Sequence, residues 1–377
     1  MIDTEKFCMR LKEKEIDFFA GVPDSLLKDF CSYIKDNIHC KKNIIAANEG
    51  NAIAIASGYH LSTGKIPLVY MQNSGQGNTI NPLASLNDPL VYSIPVLLMI
   101  GWRGEPGKKD EPQHKKQGIV TLKLLEALDI EYSVLTENDD FNMAEGKLEK
   151  ALEHMMKYKK PYALVVSKNT FSSYKLKSEV RTNFEMNREE AIKEIIQALD
   201  DEDIVVSTTG MASRELFEIR EFMNKGHEKD FLTVGSMGHA SQIALGIALS
   251  KPNRNVYCLD GDGALLMHLG GLAIIGSQEV GNFKHIVINN GAHDSVGGQP
   301  TVGFNIDIIS IAKACGYRGA YTASSYDELK LGLKQLMNSK GPALLEVKVN
   351  KGARKDLGRP TTSPIENKEA FMNFLSK

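Results

Sequence analysis

The stretch NVYCLDGDGALLMH, residues 255–268, decides how the chain is read. An apolar run from Val256 to Leu259 enters two glycines, Gly261 and Gly263, that flank Asp262. If the run is a strand of an open parallel sheet, these three residues fall at its carboxyl end, where such sheets collect ligands. A plainer reading makes the segment a glycine-rich turn with Asp262 as the cap of a following helix. A dinucleotide fingerprint, G-x-G-x-x-G, would need glycine at position 266, where the chain has Leu266, and no Walker A loop is present.

Downstream, one helix and one returning strand fill the interval between Gly263 and the asparagine pair Asn289 and Asn290. Two adjacent parallel strands would then present a carboxylate and an amide oxygen side by side. Hard oxygen donors of that kind suit Mg²⁺, which keeps few protein ligands and completes its octahedron with diphosphate oxygens and water. The glycines let backbone N–H groups approach the diphosphate beside a helix that starts near Ala264.

At 377 residues the chain suits two domains of ordinary size. Its 45 basic and 47 acidic residues are interspersed, which gives no reason to expect a nucleic-acid or membrane partner. Five scattered cysteines, none in a C-x-x-C pair, argue against a disulfide framework or structural zinc. The charged N-terminus is unlike a signal peptide, and Val91 to Gly101 is too short to span a bilayer, so the expectation is a soluble, cytoplasmic protein.

Apolar runs at 43–48, 66–72, 93–101 and 161–168 alternate with helical patterns, which implies βαβ units on a parallel sheet. A second cycle follows, with a helix at 188–200 and strands at 203–210, 255–263, 284–290 and 342–349. The polar segment between the cycles is weakly periodic and is read as a linker. The fold class is therefore α/β with two doubly wound domains.

The G-D-G and N-N pattern resembles the cofactor motif of the thiamine diphosphate-dependent decarboxylase superfamily. The segment AANEGNAIAIASGYHLSTG (46–64) is similar to the pyrimidine-domain helix of that superfamily, with Glu49 at the position of its activating glutamate. GSMGHASQIALGIALS (235–250) matches the aminopyrimidine-contacting segment, with Met237 as an apolar wedge and the backbone of Gly235 and Met237 at the ring edge. TTG (208–210) matches a further cofactor loop through Thr209 and Gly210. Taken singly, Glu49 reads as a first-turn acid favourable to the helix dipole, and Met237 as a core gap-filler.

The resemblance implies two parallel-sheet domains of the thiamine diphosphate-binding fold without a middle domain. These are a pyrimidine-binding domain at 1–172, a linker at 173–187 and a diphosphate-binding domain at 188–377. That short arrangement, together with the segments at 18–30, 101–118 and 289–301, resembles the phosphonopyruvate decarboxylases, with the sulfopyruvate decarboxylases as near relatives. It implies thiamine diphosphate and Mg²⁺ as cofactors and a small anionic 2-oxo acid as substrate. Asp262, the side chain of Asn290 and the carbonyl of Ala292 would ligate the metal, with Gly261, Gly263 and Ala264 along the diphosphate.

Glu49, Asp24 and His114 would be catalytic, and Ser25, Arg103 and His293 would meet the substrate. A planar guanidinium can hold phosphonate oxygens in a bidentate contact. Lys108 and Lys109 read equally well as a solvated basic loop, and a lone histidine is more often structural. The resemblance also implies a homodimer or larger homo-oligomer, with Glu49 and Asp262 of one active site contributed by different chains.

Overall fold

The computed structural model describes residues 1–178 and 182–377, and the chain divides into two units, 1–179 and 180–377. The first unit has strands β1 (Phe19–Gly21), β2 (Asn43–Ile45), β3 (Leu68–Gln72), β4 (Leu97–Gly101), β5 (Glu131–Leu135) and β6 (Tyr162–Val166). Its helices are α1 (Thr4–Glu13), α2 (Lys28–Asn37), α3 (Glu49–Thr63), α4 (Gln76–Pro82), α5 (Pro112–Ala127) and α6 (Phe141–Tyr158). The sheet runs β2-β1-β3-β4-β6-β5 with every pairing parallel.

Both faces of this sheet are covered, so its strands alternate between two cores rather than between core and water. Leu68, Tyr70, Leu97, Met99, Tyr162 and Leu164 pack into one core, while Val69, Met71, Leu98, Ile100, Ala163 and Val165 pack into the other. That is why the middle strands read as unbroken apolar runs.

The second unit repeats the plan with β7 (Ile204–Ser207), β8 (Asp230–Leu232), β9 (Val256–Gly261), β10 (Phe283–Asn289), a short antiparallel pair β11 (Ala292–His293) and β12 (Gln299–Pro300), then β13 (Gly319–Ala323) and β14 (Ala343–Lys348). The helices are α7 (Arg188–Ala198), α8 (Met211–Phe222), α9 (Ala240–Ser250), α10 (Asp262–Met267), α11 (Gly271–Ser277), α12 (Ile308–Ala314), α13 (Tyr326–Asn338) and α14 (Pro364–Leu375). The main sheet is parallel throughout, in the order β13-β14-β10-β9-β7-β8.

Every strand expected from the sequence is present, and the structure adds β1, β5, β8 and β13 to the main sheets and the short pair β11 and β12. β1 and β8 have three residues each, too short to display a period. β5 is an edge strand whose first residue is exposed, and β13, the other unit's edge strand, is likewise only partly apolar. The helix expected near Ala264 begins two residues earlier: Gly261 is its N-cap, and Asp262 is its first residue, with no side-chain capping bond.

The expected linker is anchored on both sides. Asp29 accepts from the Tyr174 N–H at 3.0 Å, and Asp36 accepts from the N–H groups of Lys177 and Ser178 at 2.8 and 3.0 Å. Beyond the gap, Asn350 Oδ1 accepts from the Thr182 hydroxyl at 2.9 Å and from the Phe184 N–H at 3.0 Å. Residues 179–181 of the linker lie outside the described residues.

Candidate active site

Because each main sheet is parallel, the loops that leave the carboxyl ends of its strands gather on one edge. In the first unit the neighbouring strands β2, β1, β3 and β4 lead to Glu49, to Asp24 and Ser25, to the polar segment 72–78, and to Arg103 respectively.

Glu49 opens α3 behind an N-cap, Asn48, whose side chain accepts from the Asn51 N–H. Its carboxyl is buried, at 4% exposure, and Oε2 accepts from Asn78 Nδ2 at 2.7 Å. Burial pushes its pKa above the ordinary glutamate value, partly opposed by the Asn78 bond. Gly75 leaves it room: a β-carbon there would fall 2.2 Å from Glu49 Oε1.

Asp24 is fully buried, and burial likewise raises its pKa against the bond from Gln72 Nε2 at 2.6 Å. The Leu26 N–H also donates to it, at 3.1 Å. Ser25 links Asp24 to Arg103, because its hydroxyl accepts from Arg103 Nη1 at 2.9 Å and lies 3.5 Å from Asp24 Oδ1.

The guanidinium of Arg103 is already gripped. Nε and Nη2 donate to the two oxygens of Asp110 at 2.8 and 2.5 Å, and the Gly104 N–H joins at 2.7 Å. Burial of Asp110 is outweighed by these donors, which hold its carboxyl well below the usual carboxylate range. The Nε–Nη2 edge of Arg103 therefore faces Asp110, and Nη1 reaches Ser25. Asn73 fixes the same loop, donating to the Arg103 carbonyl at 2.7 Å and to Thr121 at 2.8 Å.

His114 is buried in the first turn of α5, and its carbonyl lies where a β-carbon of Gly104 would be, at 1.9 Å. Lys108 pairs with Glu105 at 3.1 Å, and both Lys108 and Lys109 are exposed.

In the second unit the adjacent strands β8, β7, β9 and β10 lead in that order to Gly235 and Met237, to Thr209 and Gly210, to Asp262, and to Asn290. Thr209 Oγ1 accepts from the Gly235 N–H at 3.1 Å, tying two of these loops together. A β-carbon at Gly263 would fall 2.9 Å from the His293 ring and 3.5 Å from the Met237 methyl, so these three residues converge. The His293 pKa is pushed down to about 4 by burial, which leaves the ring neutral at ordinary pH.

Asp262 is 2% exposed and accepts from the Thr301 hydroxyl. Burial pushes its pKa up to about 6 despite Thr301 and the Asn290 N–H. An acid so placed is stabilised as a carboxylate by a cation, and the donors beside it are oxygens. Asn290 is 7% exposed, its Nδ2 donating to Asp294 at 2.8 Å and its Oδ1 accepting from the Ala292 N–H at 3.1 Å. Ala264 is buried in the same turn, and a β-carbon at Gly261 would meet no atom within 4 Å, so open space adjoins the turn.

The structure thus groups Glu49, Asp24, Ser25, Arg103 and His114 on the ligand edge of the first unit. It groups Thr209, Gly210, Gly235, Met237, Asp262, Gly263, Asn290, Ala292 and His293 on that of the second. Sequence reasoning passed over Gln72, Asn73, Asn78, Asp110 and Thr301. A signal for three of them existed in the polar run QNSGQGN that follows β3.

Residues 4–124 match the N-terminal TPP binding domain of the thiamine pyrophosphate enzymes, and residues 207–347 match their C-terminal TPP binding domain. The phosphonopyruvate decarboxylase of Streptomyces hygroscopicus is 34% identical, over 100% of this chain and 95% of its own. That of Streptomyces viridochromogenes is also 34% identical, over 95% and 91%. The sulfopyruvate decarboxylase of Methanosarcina acetivorans is 30% identical over 85% and 84%. Among the described residues no helix is long and apolar enough to cross a membrane. A carboxyl-bearing edge in one unit, a glycine-and-oxygen edge in the other and whole-length similarity converge: the chain belongs to the thiamine pyrophosphate enzymes, in the family of the phosphonopyruvate decarboxylases.

Proposed function

We propose that this chain catalyses the thiamine diphosphate- and Mg²⁺-dependent decarboxylation of 3-phosphonopyruvate to phosphonoacetaldehyde and carbon dioxide. The observation that carries the reading is a buried Glu49, with Asn78 as its side-chain donor, in a chain similar over its whole length to phosphonopyruvate decarboxylases. Asp262 and Asn290, retained beside it in sequence pattern, complete the cofactor set.

When bound, thiamine diphosphate supplies the nucleophilic carbon and the electron sink. Glu49, its pKa raised by burial, is the group that would hold and give up a proton toward the pyrimidine ring of the bound cofactor. Asp262, the Asn290 side-chain oxygen and the Ala292 carbonyl would hold Mg²⁺, whose charge draws the Asp262 carboxyl into its ionised form. Thr209, Gly210, Gly235 and Met237 would line the cofactor. Arg103 and the Ser25 hydroxyl would take the anionic headgroup. Asp24, whose pKa burial raises, and His114 would handle protons at the reacting carbon; the neutral His293 ring beside Gly263 supports a place for it near the substrate.

The working form in this reading is a cytoplasmic homodimer or larger homo-oligomer, each site taking Glu49 and Asp262 from different chains. An active monomer in sedimentation experiments would overturn that part. The substrate is tested by assaying aldehyde formation from phosphonopyruvate, sulfopyruvate and pyruvate in parallel with both cofactors. Fastest turnover of phosphonopyruvate is expected; faster turnover of sulfopyruvate reverses the choice.

A further inference from the structure

A side-chain amide has one end that can bind a cation and one that cannot, so an asparagine metal ligand must be told which way to face. At Asn290 a single oxygen does the telling. Asp294 Oδ2 receives Asn290 Nδ2 at 2.8 Å, Arg188 Nη1 at 2.8 Å and the Gly352 N–H at 3.0 Å. Arg188 is itself fixed, since Nε and Nη2 donate to Glu215 at 2.7 and 2.9 Å. The Arg188, Glu215 and Asp294 side chains are 7%, 1% and 10% exposed.

These groups come from the start of α7, from the middle of α8, from the turn after β11 and from the chain beyond β14. None of them has a role in the reaction proposed above.

We propose that Asp294 is a positioning residue that fixes the Asn290 amide with its oxygen toward the cofactor metal, and that Arg188 and Glu215 hold Asp294 for that task. The inference rests on the reading of Asn290 as a metal ligand. An ionised carboxylate only accepts hydrogen bonds, so it selects Nδ2 and leaves Oδ1 as the free-facing end. Oδ1 accepts from the Ala292 N–H, which closes the turn and still leaves a lone pair for a cation.

The test uses the whole protein with thiamine diphosphate, titrated with Mn²⁺ as a paramagnetic probe and competed with Mg²⁺. Asp294→Ala is expected to weaken metal binding by about 10-fold to 100-fold, the range for partners that orient a ligand. Turnover at saturating Mg²⁺ should return to near the parent value. Asn290→Asp in the same chain presents oxygen at both ends, needs no orientation, and should regain most of the lost affinity. Glu215→Gln keeps the shape while loosening Arg188 and should weaken binding by about tenfold, the lower end of that range.

Parent-like Mn²⁺ affinity in Asp294→Ala, when Asn290→Ala is weakened, overturns the proposal. Unchanged affinity in Asn290→Ala removes the metal reading itself. If Asp294→Ala does not fold, parent-like affinity in Glu215→Gln overturns the proposal on its own.

Discussion

Glu49 and Asp294 are both acidic side chains at the ligand edge of a parallel sheet, one in each unit, and their surroundings are opposite. Glu49 has one side-chain donor, Asn78, and burial lifts its pKa. Asp294 has a guanidinium, an amide and a backbone N–H on one oxygen. Burial with one side-chain donor leaves Glu49 set to change its protonation, whereas the three donors that converge on one oxygen of Asp294 hold it and its neighbours still. Glycines make room for carboxyls in both units: Gly75 for Glu49 and Gly101 for Asp24 in the first, Gly303 for Asp262 in the second.

The contrast breaks most severely at Asp262. Asp262→Ala should weaken metal-dependent retention of thiamine diphosphate by more than about 100-fold, at least the loss seen when a ligand's orienting partner is removed. Equilibrium dialysis with radiolabelled cofactor measures this, and near-parent retention would contradict the metal assignment.

Next comes Glu49→Gln, which should lower turnover by about 100-fold or more while leaving Mn²⁺ affinity near parent. The same substitution has a stability signature. The fold raises the Glu49 pKa above its ordinary value of 4.5, so the folded state retains the proton more strongly than the unfolded chain. Its favourable contribution is complete below that value and is lost as pH rises through the folded pKa. Cofactor-free Glu49→Gln should therefore gain melting temperature over the parent at pH 7 more than at pH 4. An equal difference at both pH values would show that Glu49 is not desolvated.

Gly75→Ala is intermediate. Its methyl would land 2.2 Å from Glu49 Oε1, and crowding of this kind costs about 1–3 kcal/mol. Differential scanning calorimetry should show the loss, with metal binding unchanged. Smallest is Lys108→Ala: its exposed ammonium pairs with the half-buried Glu105 three residues before it, and its loss should change stability by no more than about 1 kcal/mol by urea titration.

Much of this arrangement was legible in the residues. Long apolar runs such as IPLVYMQ and SIPVLLMIG announce central strands because both faces of a parallel sheet are buried. G-D-G and N-N stand out because a sharp strand-to-helix turn and an oxygen ligand need particular residue types. Three-residue strands such as β1 and β8 are invisible by comparison, since their place is set by pairing with neighbours and not by a pattern of their own. The same holds for Asp110 and Arg188. Their partners, Arg103 and Asp294, lie seven residues away in one case and across most of the second unit in the other. Charge balance over such separations is a property of the folded chain, and it redirects the expected bidentate edge of Arg103 toward Asp110.

The loop that carries Arg103 is pinned where two backbones meet without side chains. A β-carbon at Gly104 would fall 1.9 Å from the His114 carbonyl, and one at Gly118 would fall 1.6 Å from the Gly104 carbonyl. Trp102 Nε1 adds a bond to the Gly118 carbonyl at 2.9 Å. For anyone diversifying headgroup preference, this contact divides the loop into fixed and variable ground. Libraries at Gly104 or Gly118 would yield mostly unfolded chains, whereas Pro106 to Lys109, on the same loop, are exposed and open to change.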